Sequence, residues 1–515
     1  MAYKIYGTID VGSYELNLKI YEISAERGVR VINHVRHRME LGSDTYETGN
    51  IGVRMEDELC DTLLDFKKIL REFGADEYRA CATSAIRETH NTPVLLDRIY
   101  VETGIRLEIL SNAEQRFLGY KSIASNEEHF RDYIAEGAAI VDVGGGSIQI
   151  SLFDEGNLVT TQNIRMGTLH LKERLTEVEE RTVRYASVIE ELLDNELKTY
   201  RKLYLKDRDV RNILMMGNYL GNINQFIHEK QPGENQFTRE EFMRLYDYFM
   251  ETGHQAIAQQ LGIPAENGTL LTPAMVIYKR LLEETGAQNV IILHNDLGDG
   301  LAYDYAERKK IIVPHHNFEN DIIESARRIA KHYRTDQAHT NTMEKMALTI
   351  FDKMKKAHGL KKRERLLLQI AVILHDCGSY INMSQSSECS YNIIMASEII
   401  GISDREREMI ANIVRFNSGD ILSFEEVAAG SLLVQAEYVK IAKLTAILCV
   451  ANALDRSHQQ KIKDIRITFH DEHTMNIHVN SLEDLTLEQS LFREKTEFFE
   501  KVYSIHPVLK IKKAV

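Results

Sequence analysis

Ile5-Tyr-Gly-Thr-Ile-Asp10-Val-Gly-Ser-Tyr-Glu-Leu-Asn-Leu-Lys-Ile20 is the stretch that decides the architecture. An apolar run ends on Asp10, a short Val-Gly-Ser turn follows, and Leu16, Leu18 and Ile20 then alternate with Asn17, Lys19 and Tyr21. A period of two marks a strand, so the unit reads strand, tight turn, strand. About 130 residues later the pattern returns as Ala138-Ala-Ile-Val-Asp142-Val-Gly-Gly-Gly-Ser-Ile-Gln-Ile-Ser-Leu152. Here Ile148, Ile150 and Leu152 alternate with Gln149 and Ser151. The recurrence predicts two similar α/β lobes facing each other.

Both turns suit phosphate. Glycine lets successive backbone N–H groups point at one oxygen cluster, and serine adds a hydroxyl donor. Asp10 and Asp142, each closing a buried strand, are placed to hold a hydrated Mg²⁺ that bridges phosphate oxygens. A strand follows each turn, and this excludes a dinucleotide-binding fingerprint, which requires a helix there. The pattern instead matches the two-lobed fold shared by actin-like ATPases and sugar kinases.

Outward from the turns, Met55, Leu59, Leu63, Phe66, Leu70 and Phe73 fall at helical spacing, with Gly74 at the C-terminal cap position. Tyr78–Ala82, Ile105–Leu110, Leu158–Ile164 and Val290–Leu293 read as strands, and helices run through much of 169–285. After Pro314-His-His the patterns are helical as far as residue 458, including Met343–Met354, Arg365–Asp376 and a long helix from about Leu432 to Asp455. The end of the chain returns to strand (Ile465–Phe469), strand (Met475–Val479) and helix (Leu487–Tyr503). Four parts follow: lobes at 1–132 and 133–312, a helical domain at 313–460 and a small α/β unit at 461–515.

The 515 residues exceed one compact core, and an apolar content of 43% without low-complexity tracts predicts a folded chain. A net charge of −14 argues against general binding of nucleic acid or an anionic membrane. The basic segment Lys353–Arg365 is the one local exception, readable as a solvated helix end or as a polyanion track. His34, His37, His315 and His316 read as surface groups or polyanion contacts. The five cysteines form no CxxC pair, so neither a zinc knuckle nor a disulfide framework is signalled. With neither a signal-peptide pattern nor a bilayer-length apolar run, the expectation is a soluble, cytoplasmic protein.

Taken in order, the motifs resemble the exopolyphosphatase and guanosine-pentaphosphate phosphatase family. Asp10-Val-Gly-Ser13 and Asp142-Val-Gly-Gly-Gly-Ser147 resemble its two phosphate signatures. Ala82-Thr-Ser-Ala-Ile-Arg-Glu-Thr-His-Asn91 resembles the segment between them, Ser111-Asn-Ala-Glu114 the stretch with the catalytic glutamate, and Arg165-Met-Gly167 a later loop. Met215-Met-Gly217-Asn218 and Leu293–Gly300 fall where two further cleft loops occur. The resemblance implies two ribonuclease-H-like lobes of the actin-like ATPase type, a helical HD-like domain and a small α/β unit.

It further implies Mg²⁺-dependent hydrolysis of polyphosphate or guanosine pentaphosphate by a homodimer. Glu114 would be the general base. Asp10 and Asp142 would hold Mg²⁺, with Asp142 and Gln149 also at the catalytic position. Gly12, Ser13, Arg87, Asn91, Gly144, Gly145, Gly146, Ser147 and Gly217 would bind phosphate. In the helical domain His339, His375 and Asp376 resemble a metal set, but Asn452 stands where an aspartate would close it, so a vestigial site is expected. Two departures stand out. Gln149 replaces the family's glutamate, and Gly298 replaces a phosphate-neutralising arginine. They leave room for an alternative, a family member that binds polyphosphate or guanosine pentaphosphate as a sensor.

Overall fold

The computed structural model describes residues 3–75, 77–126, 129–179, 184–206, 208–217, 220, 235–314, 316–417, 422–431 and 433–513. Asn218, His315 and Leu432 lie outside the described residues. The chain divides into two compact units, Met1–Phe318 and Glu319–Val515.

The first unit is built on two sheets. One contains β1 (Lys4–Val11), β2 (Glu15–Ser24), β3 (Gly28–Arg38), β4 (Glu77–Ala82) and β5 (Leu107–Ile109), in the order β3-β2-β1-β4-β5. The other contains β6 (Ala138–Val143), β7 (Ile148–Asp154), β8 (Asn157–Ile164), β9 (Asn212–Met216), β10 (Gln236–Thr238) and β11 (Asn289–Ile292), in the order β10-β11-β9-β6-β7-β8. Each begins with an antiparallel three-strand meander and continues with parallel strands, so the second sheet repeats the first and adds the edge strand β10.

Apolar alternation buries one face of each meander against helices. In the first sheet, Ile9, Val11, Leu16 and Leu18 meet Leu59, Leu63, Phe66 and Leu70 of the helix Val53–Glu72, which lie along a single helical stripe. Each such side chain, fully buried, contributes about 1.5–3 kcal/mol. Several strand assignments differ from the sequence reading. β3, β9, β10 and a later strand, His506–Lys513, are not among the strands expected from the sequence, and β5 is shorter than Ile105–Leu110.

In the second unit the helix Lys362–Leu374 is buried all along Leu366–Leu374, as its continuous apolar run requires. It packs against Gln337–Lys353 and Gln435–Leu454. A separate sheet, β12 (Ile465–Asp471), β13 (Thr474–Ser481) and β14 (His506–Lys513), carries the helix Thr486–Tyr503 between its parallel pair β13 and β14. Among the described residues, no helix is long and apolar enough to cross a membrane.

Candidate functional site

The two Gly-Ser turns of the first unit meet. Gly12 N–H donates to Glu15 O (3.0 Å) and Gly144 N–H to Ser147 O (3.0 Å), so both hairpins close in the same way. The Ser13 hydroxyl bonds Tyr46 Oη (2.9 Å) and Ser84 Oγ (2.7 Å). The second turn presses on this hydroxyl cluster. A Cβ at Gly146 would lie 2.1 Å from Tyr46 Oη and 2.7 Å from Ser84 Oγ, so no other residue fits without displacement.

A cleft of about 230 Å³ opens beside the turns. Of the residues expected from the sequence, Asp10, Gly12, Ser13, Asp142, Gly144, Gly145, Gly146, Ser147, Gln149 and Gly217 line it. The pairing is regular. Asp10 lies opposite Asn17 across β1–β2, and Asp142 lies opposite Gln149 across β6–β7. Asp10 Oδ1 is buried without a hydrogen-bond partner. So is the Oε1 of Gln149, whose residue is only 4% exposed. Burial, then the charges of Asp296, Glu15 and Asp142, push the Asp10 carboxyl well above the usual range. Burial, with the Asp296 charge behind it, pushes Asp142 up to about 6.

Other expected residues are placed elsewhere. Arg87 and Asn91 do not line the cleft, contrary to the sequence reading, because their polar groups hold loops together. Arg87 donates to Leu110 O and to Asn112 Oδ1, both at 2.6 Å. Asn91 donates to Ile51 O and Glu56 Oε1, both at 2.9 Å. Glu114 caps its own helix, Asn112–Asn126, with Oε2 accepting from Ser111 N (3.0 Å) and Ser111 Oγ (2.9 Å). The next residue, Gln115, lines the cleft, as does Gly119 one turn further on.

The structure adds cleft residues that the sequence reading did not single out, Glu15, Lys19, Arg36 and Ser84, and it brings in Asp296 from the Leu293–Gly300 stretch expected to form a cleft loop. Lys19 Nζ lies 2.7 Å from Asp296 Oδ2 and 2.9 Å from Asp299 Oδ2. Burial disfavours the ammonium, but the two carboxylates outweigh it and raise its pKa. His34 was read as a surface group or a polyanion contact. It lies on the cleft wall, where burial, then Lys19 and Arg36, push it down to about 4. Outside the cleft, His37 meets Glu58 (3.3 Å), and His316 is half-buried, bonded to Tyr120 Oη (2.8 Å).

In the second unit, His339 Nδ1 meets Asp455 Oδ2 at 2.8 Å, and its ring stacks on His458 at 3.6 Å and tilts against His375 at 5.2 Å. His375 Nδ1 is bonded to Val372 O (2.7 Å), and Asp376 accepts from Ser379 Oγ. Burial, then His339, push His375 down to about 4. Among the described residues, no group of three or more His, Cys, Asp or Glu converges to hold a metal ion directly. In the basic segment, Lys355 and Arg365 pair with Asp352, Lys362 with Glu319 and Arg363 with Glu406.

The likeness to known proteins covers both units. Residues 323–496 match domain III of the Ppx/GppA phosphatases. A guanosine-5'-triphosphate,3'-diphosphate pyrophosphatase of Photobacterium profundum is 18% identical over 445 residues, 86% of each chain. Exopolyphosphatase 1 of Mycobacterium leprae is 29% identical over 145 residues, 28% of this chain and 42% of the relative. The crystal structure of an exopolyphosphatase from Cytophaga hutchinsonii superposes with a TM-score of 0.51 at 18% identity, covering 60% of this chain and all (100%) of that one. An Aquifex aeolicus Ppx/GppA family member gives a TM-score of 0.50 at 21% identity, covering 61% and 100%. These superpositions show an actin-like α/β fold. Residues 19–309, more than half of the chain, match the family itself, and the chain therefore belongs to the Ppx/GppA phosphatase family.

Proposed function

We propose that the chain is a Mg²⁺-dependent phosphohydrolase that releases the terminal phosphate of inorganic polyphosphate or of guanosine pentaphosphate. The observation that carries this reading is the meeting of two Asp-turn-amide hairpins in one cleft. Asp10, Glu15, Asp142 and Asp296 crowd one cleft with Lys19 and Arg36, and a bound cation would relieve the burial and mutual repulsion that raise the Asp10 and Asp142 carboxyls. The orphaned Asp10 Oδ1 fits a hydrated cation, and Mg²⁺ characteristically uses one or two carboxylates and keeps its waters. Asp10 and Asp142 would hold it, and when bound it supplies charge neutralisation for the phosphate oxygens.

The turns' backbone N–H groups and the Ser13, Ser84 and Ser147 hydroxyls orient the terminal phosphate. By the family resemblance Glu114 would accept the proton of the attacking water, which requires its carboxylate to leave the Ser111 cap and turn toward the cleft, and in-line positioning supplies the remaining acceleration. Phosphate release measured on both substrates, with and without Mg²⁺, tests the reading. Glu114→Ala is expected to lower turnover by about 100-fold. Wild-type-like turnover in that variant would remove Glu114 from the mechanism.

A second reading is favoured by Gln149 and Gly298: a sensor that binds these phosphates without hydrolysing them. It predicts binding without release, and partial release on Gln149→Glu. Efficient release by the wild-type chain eliminates it.

A further inference from the structure

The acids of the cleft are not equivalent, and Asp296 stands apart from Asp10 and Asp142. It does not end a strand of a turn. It stands immediately before the helix Leu297–Arg308, whose first turn it caps, with Oδ1 accepting from Asp299 N at 3.2 Å. Its Oδ2 lies 2.7 Å from Lys19 Nζ, so both oxygens are fixed while the residue lines the cleft. Lys19 is itself anchored by Asp299, and Asp299 accepts from Tyr21 Oη at 2.9 Å. Gly298 makes this packing fit. A Cβ there would lie 2.9 Å from Thr8 Oγ1 and 3.2 Å from Asp296 Oδ1 and Tyr21 Oη.

One ammonium faces two carboxylates in this lock, which leaves an excess negative charge directed at the cleft. Arg36 is the other lysine or arginine among the lining residues. Among the described residues that line the cleft, three buried side-chain acceptors lack partners, Asp10 Oδ1, Gln115 Oε1 and Gln149 Oε1. A cation with its water shell supplies both the positive charge and the donors that these groups lack.

We propose that Asp296 is the third carboxylate of the cation site, a positioning residue that holds the hydrated divalent ion from the helix side while Lys19 fixes its side chain. The proposal rests on the phosphohydrolase reading. The contact would run through the ion's water, since among the described residues no three acids converge to hold a bare ion.

The test titrates the full-length protein with Mn²⁺ by calorimetry and assays phosphate release in parallel. Asp296→Asn keeps a good helix cap but removes the charge, because asparagine caps as well as aspartate. The expected result is a Mn²⁺ affinity about 10-fold lower, with the folded state retained by far-ultraviolet circular dichroism, and partial recovery of affinity in Asp296→Glu. Wild-type Mn²⁺ affinity in the Asn variant would overturn the proposal, leaving Asp296 as a partner of Lys19. So would an affinity loss that Glu does not restore. If the wild-type chain releases phosphate but binds no Mn²⁺, the proposal alone falls. If it does neither, the hydrolase reading falls with it.

Discussion

His34 shows how strongly the cleft wall acts on a single side chain. Burial beside Lys19 and Arg36 holds it down to about 4, so the folded state keeps the imidazole neutral where an unfolded chain would protonate it. The unfolded state therefore binds more protons between the ordinary histidine range near pH 6.5 and about pH 4. The stability from the neutral ring is fully present above that range and is lost as pH falls through it. Unfolding curves from pH 7 to pH 4 should show a steeper loss for wild type than for His34→Gln. Parallel curves would mean that the wall does not exclude the charged ring. The same residue marks a limit of reading a sequence. His34 and Arg36 lie on an edge strand whose register shifts opposite Ile20 and Tyr21, so β3 shows no clean apolar alternation. Arg87 and Asn91 mark another limit, because local resemblance does not reveal that their donors are already committed to Leu110, Asn112, Ile51 and Glu56.

At the scale of elements, both hairpins were legible because period-two alternation and a Gly-Ser turn are local signals. The loop at Leu293–Gly300 was legible only as a position. Its chemistry depends on Lys19, 280 residues from Asp299 in sequence, and no local pattern carries that pairing. The helix Leu297–Arg308 also approaches the helix Asn112–Asn126 very closely. A Cβ at Gly300 would lie 2.1 Å from the backbone oxygen of Leu118, and a backbone atom cannot swing aside. Gly300→Ala is therefore expected to cost about 3 kcal/mol. It should also lower the unfolding temperature by roughly 5 °C or more, as read by thermal denaturation. An unchanged transition would mean that the two helices separate at little cost, and the cleft wall formed by Gln115 and Asp296 would then not be rigid.

At the scale of the whole molecule, the chain divides at Phe318, close to the change of pattern after Pro314. The first unit has its own sheets and its own buried clusters. A chain ending at residue 318 is expected to unfold in one cooperative step with α/β circular dichroism. A gradual, non-cooperative loss of signal would show that Glu319–Val515 is needed for that core. The repeat of sheet order within the first unit gives Gln149 a meaning beyond the loss of a carboxylate. Asp10 faces Asn17 in one hairpin, as Asp142 faces Gln149 in the other, so both halves of the cleft set an acid against an amide. A carboxylate can only accept hydrogen bonds, whereas an amide also donates. On the proposed phosphate reading, Gln149 therefore offers a donor that a glutamate in its place would not.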